Sequence, residues 1–357
     1  MSARSILSAI DREKYEVVEI GITHEGRWVT GDNTYQAAIE GHLDLLNQAA
    51  LLPDPTAKGL YYLEPADIGT FLKEVAQLDV IFPVLHGSYG EDGTIQGLFE
   101  MVDLAYVGAG VLGSSLGMDK AVFKTIMRAC NIPVVDWIIA SRKEIEQDIN
   151  KVIKQASQLG DYPFFVKPAN LGSSVGVTKC LSNSDLIEGL LEASRFDRRV
   201  LVELGVNNAR EIEVSVLGNY TPQVSIPGEI IPSREFYSYE AKYIDSGSQL
   251  LIPAPIPDEM VEKVKHLALK AYQAIDCSGM ARVDFLLEQS SPGGNMGKLY
   301  LSELNTIPGF TKISMYPKLW EASGLSYPAL IDRLIALALE RKLERDQTER
   351  RFKEREI

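Results

Sequence analysis

Hydrophobic and polar positions along this chain switch repeatedly between a helical period and an extended one. From Ser2 the pattern is helical, Tyr15–Thr23 reads as a strand rich in Val, Ile and Tyr, and a second helix follows around Asn33–Asn47. A strand at Leu78–Pro83 completes a helix–strand alternation that predicts an α/β layer with a mainly parallel sheet. Further on come a helix at Asp119–Cys130, strands near Trp137–Ala140, Phe164–Lys167 and Val200–Glu203, and two polar helices between them. From about Arg210 the pattern is strand-rich, with Glu211–Leu217, Gln223–Ile231, Met280–Leu287 and Lys298–Asn305. A closing helix can be capped by Ser326, with Pro328 in its first turn. Beyond Leu339 opposite charges alternate to Glu356, which predicts a solvated helical tail. The shifts in pattern divide the chain into 1–117, 118–206 and 207–357.

Composition narrows the classes. At 357 residues, 45% hydrophobic and 24% charged, the chain is a folded multidomain protein rather than a disordered one. Its formal charge of -13 disfavours nucleic acid and anionic membranes as partners, so an anionic ligand needs a local cluster of cations, donors or metal. The three cysteines, Cys130, Cys180 and Cys277, are widely spaced, which fits a reducing cytosol better than a disulfide framework. Apolar runs are too short to span a bilayer, and Ile6–Ile10 is too brief for a signal-peptide core. The expected location is the cytoplasm.

Several segments carry candidate chemistry. Gly108-x-Gly110-x-x-Gly113 follows a short strand, but no acidic-ended second strand comes at the spacing a dinucleotide site needs, so a tight crossover is favoured. His86 lies in a glycine-rich loop past a strand end, where ligand and structural roles are equally open. Lys167 ends an apolar strand and precedes Gly172-Ser173-Ser174-Val175-Gly176, whose amides and hydroxyls can turn toward one anion. A flexible hairpin is the plainer reading, and phosphate contact the favoured one. Arg282 with Asp284, and Glu303 with Asn305, sit two residues apart on strands, so each pair projects from one face. Their oxygens suit a hard cation such as Mg²⁺, Arg282 suits a phosphoryl group or oxyanion, and the Thr306–Gly309 turn can aim an amide at the same place. Two solvated strand ends are the alternative. Serine proteolysis lacks a nucleophile elbow.

Together these segments resemble the ATP-grasp enzymes and, among them, the D-alanine–D-alanine ligases. The likeness is carried by His86-Gly87-x-x-Gly90-Glu91-Asp92-Gly93-Thr94, Met118-Asp119-Lys120, Lys167-Pro168 with its glycine-serine loop, and Glu203 with Arg210-Glu211-Ile212-Glu213-Val214. It continues through Tyr237-x-Tyr239-Glu240-Ala241-Lys242-Tyr243, Gly279-Met280-Ala281-Arg282-Val283-Asp284 and Glu303-x-Asn305-Thr306-x-Pro308-Gly309. The resemblance implies a three-domain α/β ATP-grasp architecture with an N-terminal parallel-sheet domain, and ATP between the central and C-terminal domains. Lys120, Lys167, Ser174 and Lys242 would serve the nucleotide, Glu203 to Val206 the adenine and Glu211 the ribose. Asp284, Glu303 and Asn305 would hold two Mg²⁺ or Mn²⁺ ions. Arg282 and the Gly309 amide would stabilise a tetrahedral intermediate, Ser314 and His86 would bind substrate, and Tyr243 would hydrogen-bond to Ser173 over the closed site. The implied reaction joins two D-alanines through an acyl phosphate for peptidoglycan precursors, in a cytoplasmic homodimer. Ligation to D-lactate, or nucleotide binding with impaired ligation, are the alternatives.

Two departures from the family pattern stand out. Val206-Asn207-Asn208-Ala209-Arg210 carries one extra residue in the hinge. The family's opening strand and Gly-Gly-x-Ser-x-Glu-His loop have no match before Met1-Ser2-Ala3-Arg4, so Met1 is expected to be internal to a longer protein, and the two N-terminal strands to lack the strand between them.

Overall fold

The computed structural model describes residues 1–172, 174–232, 249–289 and 297–349. It begins with α1 (Ser2–Leu7), which buries Ile6, and a hairpin of β1 (Ile20–Ile22) and β2 (Trp28–Thr30). The next helix, α2 (Thr34–Glu40), is shorter than its periodicity suggests. Gly41 takes the left-handed conformation at φ 76° and stops it, as glycine does at a helix end. Next come β3 (Asn47–Leu51), β4 (Gly59–Pro65) and β5 (Thr70–Gln77), which extend the hairpin into a five-stranded sheet in the order β1-β2-β3-β4-β5.

Every pairing in that sheet is antiparallel. The expected mainly parallel layer is confined to one βαβ unit, in which β6 (Val80–Ile81) and β7 (Ala105–Tyr106) pair in parallel across α3 (Thr94–Val102). Short hairpin loops join β3 to β4 and β4 to β5, and such loops allow only antiparallel neighbours. The segment 15–19, read above as strand, carries no ladder, although the Thr30 hydroxyl donates to the Glu19 carbonyl at 2.6 Å. β1 and β6 lie in different sheets.

Past α4 (Val111–Met118), α5 (Lys120–Ala129) starts at Asp119, whose carboxylate accepts the Val122 amide. A four-stranded antiparallel sheet follows in the order β10-β9-β11-β8, built from β8 (Trp137–Ser141), β9 (Phe164–Pro168), β10 (Thr178–Cys180) and β11 (Arg199–Leu204). Its outer face is covered by α6 (Arg142–Ala156), which opens with a Ser141/Glu144 capping box, and α7 (Asn183–Phe196). Their facing side chains form a closed core around Val152, Val166, Leu190 and Val202.

The remaining chain builds a larger antiparallel sheet: β12 (Arg210–Leu217), β13 (Gln223–Val224), β14 (Gly228–Ile231), β15 (Gln249–Leu251), β16 (Met280–Leu287) and β17 (Leu299–Asn305). α8 (Asp258–Ala274) packs on one face, and its core also takes in Phe123 and Met127 of α5. α9 (Met315–Ala322) and α10 (Tyr327–Asp346) meet at 104° and share another core with Ile6, Val107, Met280 and Phe310. Among the described residues no single helix is long and apolar enough to cross a membrane.

Two sequence expectations meet their physical outcome here. The glycines of the 108–113 run serve close backbone approach, as favoured: a Cβ on Gly279 (φ 72°) would lie 3.1 Å from the Gly108 backbone, and one on Gly113 would lie 3.1 Å from the Asp276 carbonyl. The charged end of α10 is solvated on one side only: Glu340, Leu343, Glu344 and Asp346 are exposed while Arg341, Lys342 and Arg345 are partly buried, and residues 350–356 fall outside the described residues. Arg341 donates to the carbonyls of Gly108 and Tyr106 and to the Ser278 hydroxyl, and stacks 4.2 Å from the Tyr106 ring centre. Lys342 and Arg345 pair with Asp103 at 3.2 and 2.9 Å, and Arg345 also reaches Glu100 at 2.5 Å. Those partners lie far back in sequence, beyond the reach of local charge patterning.

Candidate active site

A cleft of about 480 Å³ opens between the β8–β11 sheet and the β12–β17 sheet. Strand parity brings its polar groups together. In the β16–β17 ladder Asp284 stands opposite Glu303 and Arg282 opposite Asn305, so the two pairs read from the sequence become one cross-strand square. Arg282 grips Asp284 with two hydrogen bonds, of 2.7 and 2.6 Å, and its Nε lies 3.0 Å from Glu213 Oε2 on β12. Those carboxylates outweigh the opposing effect of burial and raise the Arg282 pKa, so it is a fixed cation. The Asn305 amide nitrogen sits 3.1 Å from Asp284 and 3.4 Å from Glu303.

Two carboxylates and an amide form an all-oxygen donor set of the kind that suits Mg²⁺ or Mn²⁺. Among the described residues no group of three or more His, Cys, Asp or Glu converges on one point, and this set has two carboxylates with an amide. Mg²⁺ is commonly held by one or two carboxylates together with substrate phosphates, so this set fits such an ion when a phosphorylated ligand supplies further oxygens.

On the opposite wall Lys167 ends β9 and donates to Glu203 of β11 at 2.7 Å. Glu203 is 4% exposed, and its other oxygen lies 3.2 Å from Lys124 of α5, itself 1% exposed. Burial alone would raise the Glu203 carboxyl, but the two lysines overcome it and hold it at about 2. Burial works against the Lys167 charge, and Glu203 more than restores it. Lys124 is pushed down because burial outweighs its partner. Lys120, in the first turn of α5, donates to the Leu171 carbonyl at 2.6 Å at the start of the glycine-serine loop. Ser174 takes the left-handed conformation at φ 56°, which turns that loop back over the cleft.

The 86–94 loop closes the end near the 306–309 turn. His86 Nδ1 is 3.1 Å from the Ile307 carbonyl and its Nε2 is 3.3 Å from the Ser2 hydroxyl, and burial lowers its pKa. Glu91 accepts the Gly87 amide at 2.6 Å and the Ile307 amide at 3.3 Å, and burial pushes its carboxyl up to about 7.

Of the residues singled out from the sequence, His86, Lys120, Lys167, Ser174, Glu203, Val206, Glu211, Arg282, Asp284, Glu303, Asn305 and Gly309 all line this cleft. Ser314 is not part of the lining, but its hydroxyl would lie 3.1 Å from a Cβ on Gly309, and it is held by Thr311 at 2.7 Å. Ser173, Lys242 and Tyr243 fall outside the described residues. Sequence reading missed Lys124 and the anchoring role of Glu213. The only signal for Lys124 was its place one helical turn after Lys120.

Comparisons with known proteins bear on the family of the chain. A family model described as "D-ala D-ala ligase C-terminus" matches residues 126–336, and one described as "D-ala D-ala ligase N-terminus" matches residues 1–109. The chain is 51% identical over 342 residues to a D-alanine–D-alanine ligase of Thermoanaerobacter sp. (strain X514), covering 95% of this chain and 92% of that protein. It is 45% identical to the corresponding ligase of Natranaerobius thermophilus, covering 99% and 94%. Among solved structures, the D-alanine–D-alanine ligase of Coxiella burnetii superposes with a TM-score of 0.78 at 34% identity, covering 97% and 92%. The VanG D-Ala:D-Ser ligase of Enterococcus faecalis superposes with 0.81 at 31%, covering 94% of each chain. On its sequence and its fold alike, the chain belongs to the D-alanine–D-alanine ligase family and has the family's α/β ATP-grasp fold.

Proposed function

We propose that this protein is an ATP-dependent D-alanine–D-alanine ligase that supplies D-alanyl-D-alanine for peptidoglycan precursors. One observation carries the reading: a single cleft holds a cationic wall (Lys120, Lys167) facing an oxygen-donor square (Asp284, Glu303, Asn305) with Arg282 and Gly309 beside it. ATP fits this polarity, with its phosphates toward the lysines, its base toward Glu203–Val206 and its ribose toward Glu211. Asp284, Glu303 and Asn305 would hold Mg²⁺ or Mn²⁺, as two ions, which when bound would neutralise charge on the phosphoryl oxygens.

In the first step a carboxylate oxygen of one D-alanine attacks the γ-phosphorus. The bond from that phosphorus to the bridging oxygen breaks, leaving ADP and an acyl phosphate. The uncharged amine of the second D-alanine then attacks the acyl carbon, loses its proton, and expels inorganic phosphate. Arg282 is assigned to the oxyanion of that second step, because Glu213 and Asp284 fix its plane and keep it protonated. The Gly309 amide supplies a second donor, and Ser314 the site for the acceptor carboxylate. Ser174, with Ser173, Lys242 and Tyr243, is assigned to covering the nucleotide and excluding water, since an acyl phosphate hydrolyses readily. The working form is read as a cytoplasmic homodimer.

The test is incubation with ATP, Mg²⁺ and D-alanine, following phosphate and dipeptide together. One phosphate per dipeptide is the expected result. ADP without dipeptide, or turnover only with D-lactate or D-serine as acceptor, refutes the assignment.

A further inference from the structure

Lys124 does not line the cleft, and the reaction as derived has no use for it. It nevertheless sits almost wholly buried, with its ammonium 3.2 Å from Glu203 on the side away from Lys167 and 5.9 Å from the ring centre of Trp137. A buried lysine is costly unless its charge is matched, so the arrangement asks for a reason.

We propose that Lys124 is a positioning residue for nucleotide binding: it neutralises Glu203 from behind, so that the charge of Lys167 is left for the phosphates. This rests on the reading of the cleft as an ATP site. Glu203 is one carboxylate between two ammonium groups. With Lys124 present, the triad carries one net positive charge, and the only member whose ammonium lines the cleft is Lys167. Without Lys124, Glu203 and Lys167 become a closed one-to-one pair at 2.7 Å, and an incoming phosphate must break that pair in a buried setting. Lys124 meets the second Glu203 oxygen at 3.2 Å, and its charge and hydrogen bond help hold that carboxylate ionised. Glu303 and Glu211 also act on Lys167, after Glu203, and Arg128 and Lys167 add repulsion at Lys124. These groups are common to the native protein and the variants below.

The test measures ADP and adenosine binding to the full-length protein and to K124M, which keeps the stem and removes the charge. K124M should weaken ADP about tenfold, the scale of one charged contact, and change adenosine less than about twofold. In turnover the KM for ATP should rise while kcat at saturating ATP holds. Adding E203Q to K124M should restore much of the ADP affinity, because Lys167 no longer faces a carboxylate. A purely structural role would not produce that recovery. Unchanged ADP binding in K124M, equal loss of ADP and adenosine, or a double variant no better than K124M each overturns the proposal. If K124M does not fold, E203Q alone decides: its ratio of ADP to adenosine affinity must rise. Failure of the unaltered protein to bind either ligand refutes instead the reading of the cleft, and with it this inference.

Discussion

Replacing Arg341 with Met tests whether the charged end of α10 fastens the N-terminal sheet to the rest of the molecule. The half-buried guanidinium donates to two main-chain carbonyls, at Tyr106 and Gly108, and to the Ser278 hydroxyl, and it stacks on the Tyr106 ring. R341M keeps the stem packed but leaves two carbonyls short of a donor. Counting about 1 to 1.5 kcal/mol for each and about 0.5 kcal/mol for the ring contact gives a loss near 3 kcal/mol. At an m-value of about 2 kcal/mol/M in urea, the midpoint should fall by about 1.5 M. The sequence supplies its own reporters, since its three tryptophans, Trp28, Trp137 and Trp320, fall one in each sheet-based unit. Single-tryptophan variants followed by fluorescence should show the shift at Trp28 and Trp320, which lie on the two sides of the joint, and little at Trp137. Equal shifts at all three positions, or none above about 0.3 M, would refute the reasoning.

Asp284→Asn and Glu303→Gln should each abolish turnover while leaving the unfolding midpoint nearly unchanged; near-normal turnover of both at low Mg²⁺ would show the metal assignment to be wrong. Gly279→Ala should cost about 1 to 3 kcal/mol, because φ 72° is strained for alanine and the new methyl lies 3.1 Å from the Gly108 backbone; a melting temperature within a degree of the native one contradicts this. Glu91→Gln tests a pH effect. Burial raises this carboxyl from 4.5 to about 7, so its contribution to stability is complete below about pH 4.5 and is lost as pH rises through about 7. The variant lacks that slope and should gain on the native protein by up to about 3 kcal/mol between pH 5 and 8; parallel pH profiles in urea would exclude it.

The catalytic strands were legible because chemistry and periodicity coincide there. Parity alone put Arg282 beside Asp284 and Glu303 beside Asn305, and the ladder then set the pairs face to face. The N-terminal sheet was not, because β3 to β5 bury little of their surface, and β5 is exposed along most of its length. Nothing in their local pattern distinguishes hairpin neighbours from strands joined by a crossover. Lys124 escaped because lysine reads as a surface residue, and only tertiary packing buries it beside Glu203. The end of α10 escaped for a related reason: its alternating charges suggest pairing within the helix, whereas Asp103 and Glu100 lie on a distant segment.

The separate core behind β8–β11 has a mechanical consequence. The core that α9 and α10 share with Ile6 and Val107 joins the first and last thirds of the molecule into one base, and Arg341 bolts them together. The Val152–Val202 core is a separate cluster, and the β9–β11 strands meet α5 through a small cluster of Ala121, Ala169 and Leu201. The cleft is bounded by these two units, which are joined by the stretch between α5 and β8, the stretch between β11 and β12, and the α5 pairs of Asp119 with Arg199 and of Lys124 with Glu203. The glycine-serine loop and Lys167 belong to one unit and Arg282, Asp284 and Glu303 to the other, so a shift between the two would change the gap between the two walls while leaving the acid-bearing wall intact. The acid-bearing face is thus assembled within one sheet, and the Lys124–Glu203 and Asp119–Arg199 pairs of α5 are what any such shift would strain.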